Sequence, residues 1–119
     1  MSDGDALRLL DYLAHILEAI ERIEIYTAGI AQPAFLENKL IQDAVIRNFE
    51  VIGEASRNID RHHPDFRKAH TEVPWISAYE MRNVLAHGYF RIDLEIVWRT
   101  IRGDLPGMRH AVAQLIRAI

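Results

Sequence analysis

The sequence predicts an all-α protein, an antiparallel bundle of four to five helices, and three observations predict it. Apolar residues recur at three- and four-residue spacings over long stretches, the stripe of a helix with one buried face. No stretch alternates apolar and polar residues as a half-buried strand would, and no repeat or low-complexity segment occurs. The connections between the periodic stretches are short, which makes sequential helices antiparallel neighbours.

Near the N-terminus, Leu9, Leu13, Ile16, Ile20 and Ile23 recur at alternating spacings of four and three, so one helix is expected over about 5–28. Ser2, Asp3 and Asp5 are candidate caps and Gly29 is a plausible stop. After Gln32-Pro33 a second stripe runs through Ile41, Ala44, Val45, Asn48, Val51, Ile52, Ala55 and Ile59, predicting one long helix over about 34–61. It ends before His63-Pro64, because the residue before proline avoids helical geometry. Gly53 inside it costs roughly 1 kcal/mol of helix propensity relative to Ala, and close packing against a neighbouring helix is the expected compensation. From Arg61 to Val73 the periodicity fails, and a loop with room for a helical turn is expected. Pro74 suits a first helical turn, so a short third helix is read over about 75–85, ending close to His87-Gly88. Asp93 reads as the N-cap of a fourth helix that turns Leu94, Val97, Trp98 and Ile101 inward. Gly103-Asp104-Leu105-Pro106 interrupts it, and Met108, Val112, Leu115 and Ile116 carry a last helix to the C-terminus.

A length of 119 residues makes 1–119 one domain, with one core and no room for a separate catalytic domain. Half the residues are hydrophobic and 26% are charged, which is ordinary globular usage. With no cysteine, neither a disulfide framework nor a thiolate metal site can form. The acidic start is unlike a secretory signal. Asp11, His15, Glu18 and Glu21 interrupt the richest apolar stretch well short of a membrane span. A cytoplasmic, soluble protein is therefore expected. The net charge of −3 argues mildly against nucleic acid as a partner, because sequence-independent binding rests on Lys and Arg neutralising phosphates. Local charge differs: residues 57–70 hold Arg57, Arg61, Arg67 and Lys68 against Asp60 and Asp65. The ordinary reading of that segment is a solvated helix end and loop, since cations favour helix C-termini.

The stretch richest in chemistry is Arg82-Asn83-Val84-Leu85-Ala86-His87-Gly88-Tyr89. Arg is permanently charged and forks onto phosphate oxygens, and His can both take and give a proton near neutral pH. Positions five apart lie about 140° apart on a helix wheel, so Arg82 and His87 share no face unless the helix ends. Gly88 can supply a left-handed cap, which would leave both residues addressing one cleft beyond the helix end. Asn83 offers an amide for a backbone group or a phosphate. On the residues alone, Arg82 as a surface ion-pair residue and His87 as a helix C-cap remain the plain alternative.

The pattern Arg-x-x-x-x-His-x-Tyr, with Asn after the Arg, resembles that of the HEPN ribonucleases, and specifically the HepT-like toxins. The segments QDAVIRNFEVIGEAS, MRNVLAHGYF and DLEIVW, then DLP, follow the HepT pattern in order and spacing over nearly the whole chain. The resemblance implies a HEPN-like bundle and a toxin of the HepT/MntA toxin–antitoxin type, an endoribonuclease that needs no metal or cofactor. Its catalytic residues would be Arg82 and His87, with Asn83 in support, and tRNA is one candidate substrate. It further implies a homodimer with a composite active site at the interface, and an MntA-like nucleotidyltransferase antitoxin that adds AMP to Tyr89. The alternative is a non-catalytic nucleotide-binding or scaffold module partnering a nucleotidyltransferase, which the acidic net charge favours slightly.

Other constellations are weaker. His62, His63 and His70 lack a recognised ligand spacing, and no Glu-x-x-His pair of the di-iron bundle type occurs. Glu50 and Glu54 lie four apart beside Arg47 and Arg57, where solvated ion pairing is the expected role. Trp75 and Trp98 read as core or dimer contacts.

Overall fold

A computed structural model describes residues 3–75, 78 and 93–119, with side chains from residue 8 onward. The described residues form six helical segments and no strand: α1 Asp3–Thr27, α2 Gln32–Glu37, α3 Lys39–His62, α4 Pro64–Ala69, α5 Leu94–Gly103 and α6 Leu105–Ala118. The fold is an all-α bundle. Of the candidate caps of the first helix, Ser2 lies outside the described residues and Asp3 and Asp5 fall inside α1; most of the predicted third helix lies outside the described residues. Of that third helix, Ala78 N–H donates to the Pro74 carbonyl at 3.1 Å, the bond that opens a helix after a proline.

The centre of the bundle is α1, which packs along α3 and α6. All five residues of its predicted stripe are buried, Leu9, Leu13, Ile16, Ile20 and Ile23. From α3 they meet Val45, Phe49, Ile52, Ala55 and Ile59, and from α6 Met108, Val112 and Leu115. Both neighbours run antiparallel to α1. Tyr12 near its start meets His63 at the end of α3, with ring centroids 6.3 Å apart, and Glu24 near its end pairs with Arg109 near the start of α6 at 3.2 Å. Gly53 is itself buried, as its place on the packed side of α3 requires. At the end of α1, Gly29 adopts φ 75°, the left-handed geometry that lets glycine close a helix and turn the chain.

Three buried polar side chains are satisfied locally, whereas the Ser56 hydroxyl has no partner among the described residues. Asn48 Nδ2 donates to the Ala44 carbonyl at 2.8 Å, Thr27 Oγ1 donates to the Ile23 carbonyl at 2.8 Å, and Gln42 Nε2 donates to the Phe35 carbonyl at 2.9 Å. Each bond removes the penalty of burying an unpaired amide or hydroxyl.

Two expectations need correction. The helix predicted over 34–61 is two helices, because Asn38 is extended (φ −109°, ψ 95°) and its side chain accepts from Ile41 N–H at 3.0 Å. That N-cap starts α3 afresh and leaves α2 free to turn the fully buried Phe35 onto Trp98, ring centroids 5.2 Å apart. The loop expected over 61–73 holds a complete short helix, α4. His63-Pro64 does end α3, but the proline then occupies the first turn of α4, where its missing N–H costs nothing. The interruption at residues 103–106 falls as expected, with α5 ending at Gly103 and α6 starting at Leu105.

Candidate functional site

Arg82, Asn83, His87 and Tyr89 all lie outside the described residues, between Ala78 and Asp93. What the structure describes is the scaffold on either side of them. On the N-terminal side Val73, Trp75 and Ala78 are buried. Trp75 Nε1 donates to the His70 carbonyl at 2.8 Å and its backbone N–H donates to the Val73 carbonyl at 2.9 Å. A tryptophan whose ring is buried and whose N–H is bonded fixes the chain at that point.

On the C-terminal side the Asp93 carboxylate caps α5, Oδ1 accepting from Glu95 N–H at 3.0 Å and Ile96 N–H at 3.2 Å. Five residues on, Trp98 is buried under Arg102, whose guanidinium carbon stands 4.5 Å from the ring centroid. That guanidinium also donates to the Ile30 carbonyl at 2.8 Å, tying α5 to the turn after α1. Sequence reasoning misses this unit, since nothing in the local sequence marks Arg102 as reaching 72 residues back. Both ends of the segment that carries the motif are thus secured to the core.

The histidines of residues 57–70 go to different tasks. His63 is both the C-cap of α3 and the N-cap of α4, and it is buried with its Nε2 unpartnered among the described residues. His70 Nδ1 stands 2.9 Å from Glu72 Oε1. The Glu72 carboxyl is held below its ordinary value, first by a backbone N–H and then by the His70 ring. Among the described residues, no group of three or more His, Asp or Glu side chains could hold a metal ion.

Hollows open on the described surface. One of about 430 Å³ lies between α1 and α6, lined by Leu17, Glu21, Arg109, His110, Gln114 and Arg117 among others. A second, of about 280 Å³, lies between α1 and α3 over Tyr12, His15, Arg47, Glu50, Glu54 and Asn58, and a smaller one adjoins it at His15 and Val51. Arg47 and Glu50 pair there at 3.7 Å, the solvated ion pairing expected of them. Among the described residues, no helix is long and apolar enough to cross a membrane.

Residues 16–115 match the family model of the HepT-like ribonucleases, described as "Ribonuclease HepT-like". The chain belongs to the HepT-like ribonuclease family. A Thermococcus cleftensis protein named "Probable ribonuclease HepT" is 46% identical over 105 residues, covering 88% of this chain and 93% of that protein. "Putative RNase MJ1380" of Methanocaldococcus jannaschii is 40% identical, covering 85% of this chain and 90% of its own length. A second protein of that organism, "Gamma-glutamylcyclotransferase and putative RNase MJ0434", is 38% identical over 91% of this chain, which spans only 47% of it. No solved structure matches the chain. The HepT-like span includes Arg82, Asn83, His87 and Tyr89.

Proposed function

We propose that this chain is the toxin of a HepT/MntA-type pair: a single-domain, metal-independent endoribonuclease, cytoplasmic, acting as a two-fold dimer and silenced by AMP addition to Tyr89. The observation that carries the reading is the HepT-like match over residues 16–115, with the Arg82-to-Tyr89 motif intact inside it. The names of the relatives support the reaction class.

The chemistry follows from the residue types. The ribose 2′-hydroxyl attacks the adjacent phosphorus, its proton passes to a neutral imidazole, and the 5′ oxygen leaves with a proton from an imidazolium. Arg82 stabilises the charge that grows on the phosphoryl oxygens, and Asn83 helps hold the phosphate. One motif brings one His87, while the reaction uses both a base and an acid. Two motifs related by a dimer axis provide both. AMP on Tyr89, two residues beyond His87, adds bulk and about one negative charge per phosphodiester, which blocks and repels RNA. The partner that adds it is a small nucleotidyltransferase of the MntA kind.

Expression of the chain without its partner slows growth. His87→Ala is expected to lower RNA cleavage by about 10²- to 10⁴-fold and Arg82→Ala by about 10²- to 10³-fold, each relieving the growth defect with helical content unchanged. Cleavage persists in the presence of a chelator, and sedimentation gives a dimer. Mass spectrometry after incubation with the partner and ATP finds AMP on Tyr89. Purified protein that cleaves no cellular RNA, with both variants behaving as wild type, would retire the enzymatic reading in favour of the scaffold module. Adduct on another residue would retire the role given to Tyr89.

A further inference from the structure

Helix-end electrostatics explains only part of the net-basic segment at the end of α3: Arg67 and Lys68 lie in the last turn of α4. The cations in the last turn of α3 are Arg61 and His62, and the attraction of a helix C-terminus for cations fades beyond that turn. Arg57 lies a full turn earlier. Arg57 and Arg61 stand four residues apart on one helix, a like-charge spacing that weakens a helix slightly, and neither is ion-paired among the described residues. The neighbouring carboxylate is already taken: Asp60 Oδ1 accepts from Arg67 Nε of α4 at 3.2 Å.

That ion pair, with the half-buried Phe66 set against the core and His63 buried at the junction, holds α4 against the end of α3. Arg61 follows Asp60 and Lys68 follows Arg67, so each side of the pair is followed by an exposed cation. Four cations against two carboxylates occupy residues 57–70 in a chain of net charge −3. The cations are thus concentrated on two packed helices, α3 and α4.

We propose that Arg57, Arg61 and Lys68 form a contact surface for the phosphate backbone of single-stranded RNA, outside the Arg82-to-Tyr89 motif. The inference rests on the ribonuclease reading for the class of its ligand. One helical turn, about 5.4 Å, separates Arg57 from Arg61, a span that neighbouring phosphates of one strand can bridge. Such contacts position a strand without reading its bases. They also allow an acidic protein to hold RNA, because it is the local concentration of unpaired cations that releases counterions.

The test uses the full-length His87→Ala protein, so that the RNA survives, and a fluorescently labelled single-stranded RNA of mixed sequence read by anisotropy over a salt series. Replacing Arg57, Arg61 and Lys68 by Gln is expected to reduce the slope of log affinity on log salt by about two, at roughly 0.7 for each phosphate no longer neutralised. Wild-type affinity then falls roughly 15- to 20-fold more than the variant's over a fourfold rise in salt. Replacing Lys39, Arg99 and Arg117 by Gln makes the same charge change elsewhere and should leave the slope nearly unaltered. Arg57→Lys with Arg61→Lys should keep it. An unchanged slope in the first triple variant, an equal loss in the control, or no RNA binding by the parent protein would each overturn the proposal. RNA held through these residues by a protein that cleaves none would remove the ribonuclease reading and leave the surface standing. Cleavage by a protein whose slope ignores the substitutions would do the reverse.

Discussion

Asn38 is exposed, yet it decides where two helices part. Its side chain caps α3 through Ile41 N–H, and the break it creates lets Phe35 reach the core. Asn38→Ala is expected to lower stability by about 1 kcal/mol, read by denaturant unfolding, while Asn38→Asp, which keeps the acceptor, should stay near wild type. A cap of no energetic consequence would show as equal midpoints for all three proteins. Glu72 offers a titration at the same scale. Its carboxyl is depressed by a backbone N–H first and His70 second. A depressed carboxyl stabilises the fold above the usual carboxylate range, and that contribution is lost as pH falls through the lowered value. His70→Ala should therefore move the Glu72 titration part of the way up, followed by NMR of the side-chain carboxyl. A full return to the ordinary value would mean that the backbone bond is the lesser cause.

At the scale of elements, Gly29 closes α1 with a left-handed residue, and a Cβ there would meet nothing within 4 Å. The cost of Gly29→Ala is thus backbone strain alone, about 1–2 kcal/mol, and Gly29→Asn should cost less; thermal unfolding of the two variants checks the order. The stop at Gly29 is legible in the sequence, as are the α1 stripe and the α5–α6 interruption, because each is written in local periodicity and punctuation. The break at Asn38 is not. Phe35 and Leu36 continue an apolar pattern across it, and the competing geometry depends on Trp98, more than sixty residues away in the chain. α4 escapes a reading by periodicity because His63-Pro64 looks like a stop, although the same proline is suited to a first turn. The HepT-like family is legible in the sequence, since residues 16–115 match it. The motif's own residues lie outside the described ones, so their roles stay with the proposed function.

Across the whole molecule, the bundle gives the motif segment two fixed ends, Trp75 bonded to the His70 carbonyl and Trp98 held between Phe35 and Arg102. Trp75 and Trp98 are also the only tryptophans in the sequence. The protein therefore carries two native fluorophores, one on each side of the segment that holds Arg82, His87 and Tyr89. RNA or AMP arriving there should change intrinsic emission without any attached dye, and Trp75→Phe and Trp98→Phe would divide the signal between the entry and exit of that segment. Emission of both single-tryptophan proteins that ignores saturating RNA would show that the two posts do not sense what happens between them. If they do sense it, occupancy of the segment can be followed in real time by a plain fluorimeter on the unlabelled molecule.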